Sequence, residues 1–259
     1  MCIRDRGDLA RGGDRVDLKL PESERELIRR VVAVAPKTVV VLEGGSAIEV
    51  GDWLDDVDGL IMAWYPGREG GHAIARVLFG EVNPSGCLPV TFPRSIGQLM
   101  EWDVTSLDVT HDLLHGYRLL DHHDRQPEFP FGFGLSYSSF ELTDFRVQRQ
   151  GSGFLLRADV KNTGERAGAT VLQIYVATRD SRVFRVPKEL KHFARIELEP
   201  AETGSVEFSI ADADLCFYDV DGDGFELEAC GYQFHVGFSS ADLPLSSGWQ
   251  LADGDWRST

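Results

Sequence analysis

The stretch that most constrains this fold is Trp64-Tyr65-Pro66-Gly67-Arg68-Glu69-Gly70-Gly71, with Gly80-Glu81-Val82-Asn83-Pro84-Ser85-Gly86 and Leu88-Pro89-Val90-Thr91-Phe92-Pro93 after it. A strand-like run over residues 60–65 enters a Pro/Gly turn. A short helix is expected over residues 73–79, and a second turn follows at Asn83-Pro84. Turn residues this dense at both ends of one helix hold the chain to one path.

The same grammar extends on both sides. Residues 21–35 read as a helix. Pro21 suits the first turn, Glu22, Glu24 and Glu26 suit the positive end, and Arg29 and Arg30 come later. Leu27, Ile28, Val31 and Val34 or Ala35 form its apolar stripe. Residues 39–42 and 60–64 are short continuous apolar runs, the mark of strands covered on both faces. A short helix is expected between them, near residues 52–57. Alternating strands and helices predict a mainly parallel sheet with helices on both sides, an α/β domain.

Residues 94–130 lose that periodicity and carry Asp103, Asp108, Asp112 and His122-His123, as a long surface excursion does. Past residue 140 the period becomes two. Phe154, Leu156, Ala158 and Val160 alternate, as do Val206, Phe208 and Ile210, and Tyr232, Phe234, Val236 and Phe238. Such runs predict an all-β sandwich. The polar, glycine-rich residues 148–153 set the expected division, 7–145 against 146–259.

Several motifs now stand in order. To those of residues 64–93 are added Gly116-Tyr117-Arg118 with Asp121, and Phe131-Gly132-Phe133-Gly134-Leu135-Ser136-Tyr137. Further on come Val160-Lys161-Asn162-Thr163-Gly164 and Pro187-Lys188-Glu189-Leu190-Lys191-His192-Phe193. Together they resemble glycoside hydrolase family 3, the β-glucosidase and β-xylosidase family, from about residue 12 to the C-terminus. The resemblance implies a partial α/β sandwich domain, truncated at its N-terminus, followed by a fibronectin type III-like domain. The opening Met1-Cys2-Ile3-Arg4-Asp5-Arg6 has no counterpart there. It resembles translated sequencing-adaptor sequence and is set outside the expected fold.

Charge narrows the partners. The 259 residues carry a net charge of −16. No clustered Lys/Arg surface for nucleic-acid phosphates is visible. The acidity reads as a solubility device or a salt-adapted surface. No apolar run approaches the ~20 residues of a membrane helix. Cys2, Cys87, Cys216 and Cys230 show no paired framework, so they read as free thiols and imply no oxidising compartment. With residues 219–224 as a hairpin loop, Tyr218 faces Phe225 and Cys216 faces Leu227 rather than Cys230.

The chemistry implied by the resemblance is retaining hydrolysis of terminal, non-reducing β-D-glucosyl or related residues, without a cofactor. It needs two carboxyls ~5 Å apart, one a nucleophile and the other an acid/base. In the family the nucleophile is an Asp on an N-terminal (β/α)8 barrel, and no barrel of ~250 residues precedes Gly7. The acid/base is a Glu ahead of a motif comparable to Arg11-Gly12-Gly13-Asp14-Arg15-Val16-Asp17-Leu18-Lys19-Leu20-Pro21. Direct alignment puts Arg11 in its place, and a guanidinium does not donate protons at working pH. The Gly12-Gly13-Asp14-Arg15 ending favours instead a Glu further upstream. Asp8 and Asp14 read as loop or capping residues. No catalytic residue is assigned, and the chain alone is expected to be inactive. Were it active, Asp14 and Glu69 would be the first carboxylates to test.

Trp64 and Tyr65, at the carboxyl end of a parallel strand, are candidates for stacking on a sugar; core or interdomain packing is the competing reading. Arg68 and Glu69 read as a cation beside a helix-capping carboxylate. Asp219-Val220-Asp221-Gly222-Asp223-Gly224 resembles half a calcium loop, but position twelve is Cys230 instead of Glu, so a hairpin turn is preferred. His111, His115, His122 and His123 read as exposed loop residues and no metal is expected. Gly44-Gly45-Ser46 lacks the pattern of a phosphate loop and reads as a tight turn.

Three identities remain open at this point. The chain is a truncated exo-β-glycosidase, a stand-alone non-catalytic carbohydrate-binding or scaffold module, or a half-enzyme that assembles with a separate barrel chain.

Overall fold

The computed structural model describes residues 2–4, 17–100, 108 and 110–259. They divide into two compact units. The first runs to Val82 and resumes over Val90–Pro130; the second takes Asn83–Pro89 and Phe131–Thr259.

In the first unit, β1 (Cys2–Arg4), β2 (Val39–Glu43) and β3 (Gly59–Met62) form a parallel sheet in that order. The six opening residues therefore do not all stand outside the fold, as expected of them. Backbone hydrogen bonding asks only for an extended segment, whatever its side chains. Val40, Val41 and Leu42 are buried, as their continuous apolar run requires. β3 departs from expectation: all four residues are half-buried, because the strand lies at the sheet edge.

Helix α1 (Glu22–Val32) packs through Ile28 into a cluster with Val40, Leu42, Ile48, Val50 and Trp53. Pro21 is its N-cap. Arg29 bonds Glu22 at 3.1 Å and Glu26 at 3.0 Å on the exposed face. The helix stops short of residue 35, since Ala35 precedes Pro36 and proline disfavours the helical conformation before it. Val34, past the helix end, is exposed, and so is Leu27 within the helix, so neither joins the buried stripe. A one-turn 3₁₀ helix over Leu54–Asp56 precedes β3, and α2 (Gly70–Leu78) follows it. The excursion after Phe92 holds a second 3₁₀ turn, Ile96–Gln98, and a short helix, α3 (Tyr117–His122). His122 thus ends a helix rather than lying in a loop, while His111 and His115 precede it in non-helical backbone.

The second unit is an antiparallel sandwich. One sheet has the order β4 (Phe140–Gln150), β5 (Gly153–Asn162), β8 (Thr203–Ala211). The other runs β13 (Asp255–Ser258), β12 (Leu245–Ala252), β11 (Gly231–Gly237), β6 (Gly168–Arg179), β7 (Glu189–Leu198). Leu156, Ala158, Val160, Phe208, Ile210, Phe234 and Val236 fill the core from alternate positions. A two-stranded ribbon, β9 (Phe217–Asp219) and β10 (Gly224–Glu226), sets Tyr218 opposite Phe225 as the hairpin reading required. Residues 148–153 form the turn between β4 and β5, and residues 145/146 lie inside β4. The compact units part instead at Pro130/Phe131.

Two motif asparagines hold the loops of the second unit. Asn83 Oδ1 accepts from the Ser136 hydroxyl at 2.8 Å and the Tyr137 N–H at 2.7 Å, while its amide donates to the Ala167 carbonyl at 3.0 Å. The buried Asn162 amide donates to the Arg166 and Leu198 carbonyls, and its oxygen accepts from Ser138 and the Gly164 N–H. Apart from the bond to Leu198 at the end of β7, these bonds satisfy backbone groups of the connecting loops.

Candidate functional site

Because β2 and β3 are parallel and in register, with Leu42 beside Met62, the loops that follow them leave the same sheet edge. That carboxyl edge is where open α/β sheets bind ligands. The Ala63 N–H donates to the Leu42 carbonyl at 2.8 Å, and the Gly44 N–H to the Trp64 carbonyl at 3.2 Å. The two loops are thereby tied.

The neighbours Trp64 and Tyr65 part company here. Trp64 is half-buried and meets Phe92 edge-to-face, with ring centroids 6.3 Å apart. Phe92 is buried and meets Phe129 in the same manner at 6.1 Å. Tyr65 is 80 % exposed. The reversal comes from Trp64, whose φ of +52° lies in the left-handed region that a bulky residue enters only at a cost. Of the competing readings, packing suits Trp64 and an accessible ring suits Tyr65.

Gly45 does more than make the tight turn expected of Gly44-Gly45-Ser46. A β-carbon there would lie 2.6 Å from the Tyr65 hydroxyl oxygen, so the turn leaves room for the phenol. Its signal was the Gly44-Gly45 pair directly after an apolar strand. Gly70 plays a like part, since a β-carbon on it would meet the Pro66 ring at 2.7 Å.

Glu69 stands at the N-cap of α2 but makes no capping bond; its carboxylate meets His72 Nδ1 at 3.0 Å, one turn along. This differs from the capping role expected of it. Buried Glu49 is committed to structure: it accepts from the Ile96 N–H, and Lys19 lies 4.0 Å away. Asp8, Arg11, Gly12, Gly13, Asp14, Arg15 and Asp103 lie outside the described residues. Among the described residues, no group of three or more His, Cys, Asp or Glu side chains is placed to hold a metal. Both acidic ends of the calcium-like loop are engaged: Asp219 with Arg182, outside the hairpin, and Asp223 with the Tyr218 hydroxyl inside it. Burial pushes the Cys87 and Cys230 thiols up, away from the reactive thiolate.

Residues 3–137 match the glycosyl hydrolase family 3 C-terminal domain. The chain belongs to glycoside hydrolase family 3. Residues 170–240 match a fibronectin type III-like domain. Family 3 relatives include a β-glucosidase of Rhizobium radiobacter, 39 % identical over 247 residues that span 91 % of this chain and 30 % of that protein. An exo-α-(1→6)-L-arabinopyranosidase of Bifidobacterium longum is 32 % identical, over 95 % of this chain and 33 % of its own length. Among solved structures, the β-D-glucoside glucohydrolase of Trichoderma reesei superposes with a TM-score of 0.88 at 26 % identity, covering 92 % of this chain and 37 % of that one. The chain thus spans about a third of the length of the family 3 proteins it matches.

Proposed function

We propose that this chain is the C-terminal part of a retaining exo-β-glycosidase of the β-glucosidase type, acting on terminal, non-reducing β-D-glycosyl residues. The observation that carries the reading is the family 3 match over residues 3–137 together with the relatives' greater length. The nucleophile and the acid/base would both lie on the part of the enzyme that precedes these residues, the nucleophile on a barrel domain. The first unit would border the substrate cleft with the carboxyl edge of its sheet. Tyr65 would offer its ring to the apolar face of a sugar, with Trp64 as its anchor. The sandwich would serve as a buttress. No cofactor is needed, since two carboxyls suffice to break the glycosidic bond with formation of a glycosyl-enzyme ester and to let water hydrolyse that ester.

Without those carboxyls the chain is inactive, because removing either one eliminates most of the rate enhancement. The test is turnover of aryl β-glucoside and β-xyloside by this chain, alone and with a family 3 barrel domain supplied in trans. Inactivity alone with rescue by the barrel is the expected result. Turnover by the chain alone overturns the reading. Failure of the barrel to rescue, with both parts folded, favours a non-catalytic carbohydrate-binding module.

A further inference from the structure

An aspartate followed by glycine is a chemical weak point of a polypeptide, because glycine puts no side chain in the way of its own amide nitrogen. The sequence has four such pairs: Asp58-Gly59, Asp221-Gly222, Asp223-Gly224 and Asp253-Gly254. Ring closure between the carboxyl and that nitrogen needs the two to swing together. A bond that fixes either of them must open first. The fold treats the four pairs differently.

Two pairs are held. The Asp58 carboxylate accepts the Thr38 N–H at 2.7 Å, and Gly59 opens β3 opposite Val39. The Asp223 carboxylate accepts the Tyr218 hydroxyl, and Gly224 opens β10 opposite Asp219. A third pair, Asp253-Gly254, fills a two-residue turn between β12 and β13, closed by the pairing of Ala252 with Asp255. Both of its residues take positive φ, +53° and +81°, as so short a turn demands, and little rotation is left to them.

Asp221-Gly222 is at liberty. The pair lies in the longer loop of the ribbon, residues 220–223, and both residues are exposed. The Asp221 N–H donates to the Asp219 carboxylate at 3.3 Å, which anchors the loop behind the pair. Among the described residues, neither the Asp221 carboxylate nor the Gly222 N–H has a hydrogen-bonding partner. The strands below are pinned from outside, since Arg182 reaches Glu226 at 2.6 Å and Asp219 at 3.3 Å. A change at the tip therefore leaves the foot of the ribbon in place.

We propose that Asp221 is a site of spontaneous isoaspartate formation in the folded chain. The Gly222 nitrogen attacks Asp221 Cγ. An N–C bond forms, the carboxyl C–O bond breaks, and the hydroxyl leaves with the amide proton as water. The five-membered succinimide then takes up one water. Addition at Cγ restores aspartate. Addition at the main-chain carbonyl leaves the backbone running through Cγ, an isoaspartyl link one methylene longer. Nothing is oxidised or reduced, and water is the only co-reactant.

The test is storage of the folded 259-residue chain in warm neutral buffer, beside the same chain held unfolded in urea. Electron-transfer fragmentation of the digested peptides separates a backbone through Cγ from one through Cα at each position. In the folded chain, isoaspartate should gather at position 221 roughly tenfold faster than at 58 or 223, the suppression that one or two hydrogen bonds supply there. It should also gather faster there than at 253. In urea the four rates should converge. Total isoaspartate, read as methyl groups taken up with an isoaspartyl methyltransferase, should fall by more than half in Asp221→Glu, whose extra methylene makes the ring six-membered and slow to close. That substitution lies in an exposed loop, and the thermal midpoint checks its folding. Equal accumulation at all four positions of the folded chain overturns the site, as does accumulation led by 58, 223 or 253. Conversion at 221 in urea but not in the folded chain overturns it too. None of these readouts depends on turnover in trans, so this site and the proposed activity fail separately.

Discussion

The Tyr65 ring covers Gly45 so closely that a β-carbon at position 45 would lie 2.6 Å from the phenol oxygen. Gly45→Ala therefore forces the tyrosine aside. Because the displaced ring is exposed, the fold should lose less than about 1 kcal/mol, a shift of ~2–4 °C at most. In the barrel-complemented assay the variant should raise KM about tenfold and leave kcat closer to wild type, since the ring supplies binding rather than proton transfer. An unchanged KM would remove Tyr65 from the sugar contact.

Arg149 grips Asp212 with two bonds, 2.5 and 2.6 Å, and its guanidinium lies 5.0 Å from the Phe154 ring centroid and 5.4 Å from that of Trp256. Lysine cannot reproduce a fork that also stacks. With both side chains about a quarter exposed, solvent discounts the pair. Arg149→Lys should cost the sandwich about 1–2 kcal/mol, read from the urea midpoint at an unchanged slope. Equal stability would mean that neither the fork nor the stack adds to what a single point charge supplies.

Asn162 is fully buried and uses both its donors and its acceptor. Asn162→Ala strands the Leu198 carbonyl and the Gly164 N–H together, for about 3 kcal/mol. Asn162→Asp keeps the acceptor but sets a carboxylate against two carbonyls, so it should be no milder. A thermal midpoint within 2–4 °C of wild type, about 1 kcal/mol in a chain this long, would contradict this.

His235 on β11 is held below its ordinary value of 6.5 by burial, with Lys188 and Arg179 adding repulsion. Its folded-state pKa is thus lower than the unfolded one, so the unfolded chain takes up the proton first. Stability should decline as pH falls from about 6.5 toward the folded pKa, then level off with respect to this group. His235→Gln should flatten that slope in urea titrations between pH 7 and 5, a window set around the ordinary histidine value of about 6.5. A slope unaltered by the substitution would assign the decline to other groups.

Much of this fold is legible from spacing alone. The continuous apolar run over residues 39–42 lies in the covered central strand β2, and the period-two runs are β5, β8 and β11. The register of Tyr218 against Phe225 followed from the length of an Asp/Gly loop. β4 was harder. A bulge between Leu142 and Asp144 breaks its alternation, so its residues carry no clean period of two, and the polar turn that follows reads as a division between domains. The asparagine staples were visible as motif letters but not as structure, since their partners lie up to 84 residues away. At the candidate site, two adjacent aromatics were legible and their division of labour was not. That division depends on the positive φ of Trp64, which no propensity assigns to tryptophan.

The chain leaves the first unit at Val82, spends Asn83–Pro89 in the second, returns at Val90, and departs again after Pro130. The polypeptide is therefore woven rather than strung, and no single cut yields two complete modules. A clone that begins at Phe131 would lack Asn83, and with it the acceptor for Ser136 and Tyr137. It would lack Leu88 as well, which trades backbone bonds with Phe133 and Gly132. Any shuffling of this sandwich between proteins, in the laboratory or in descent, must carry those seven residues along.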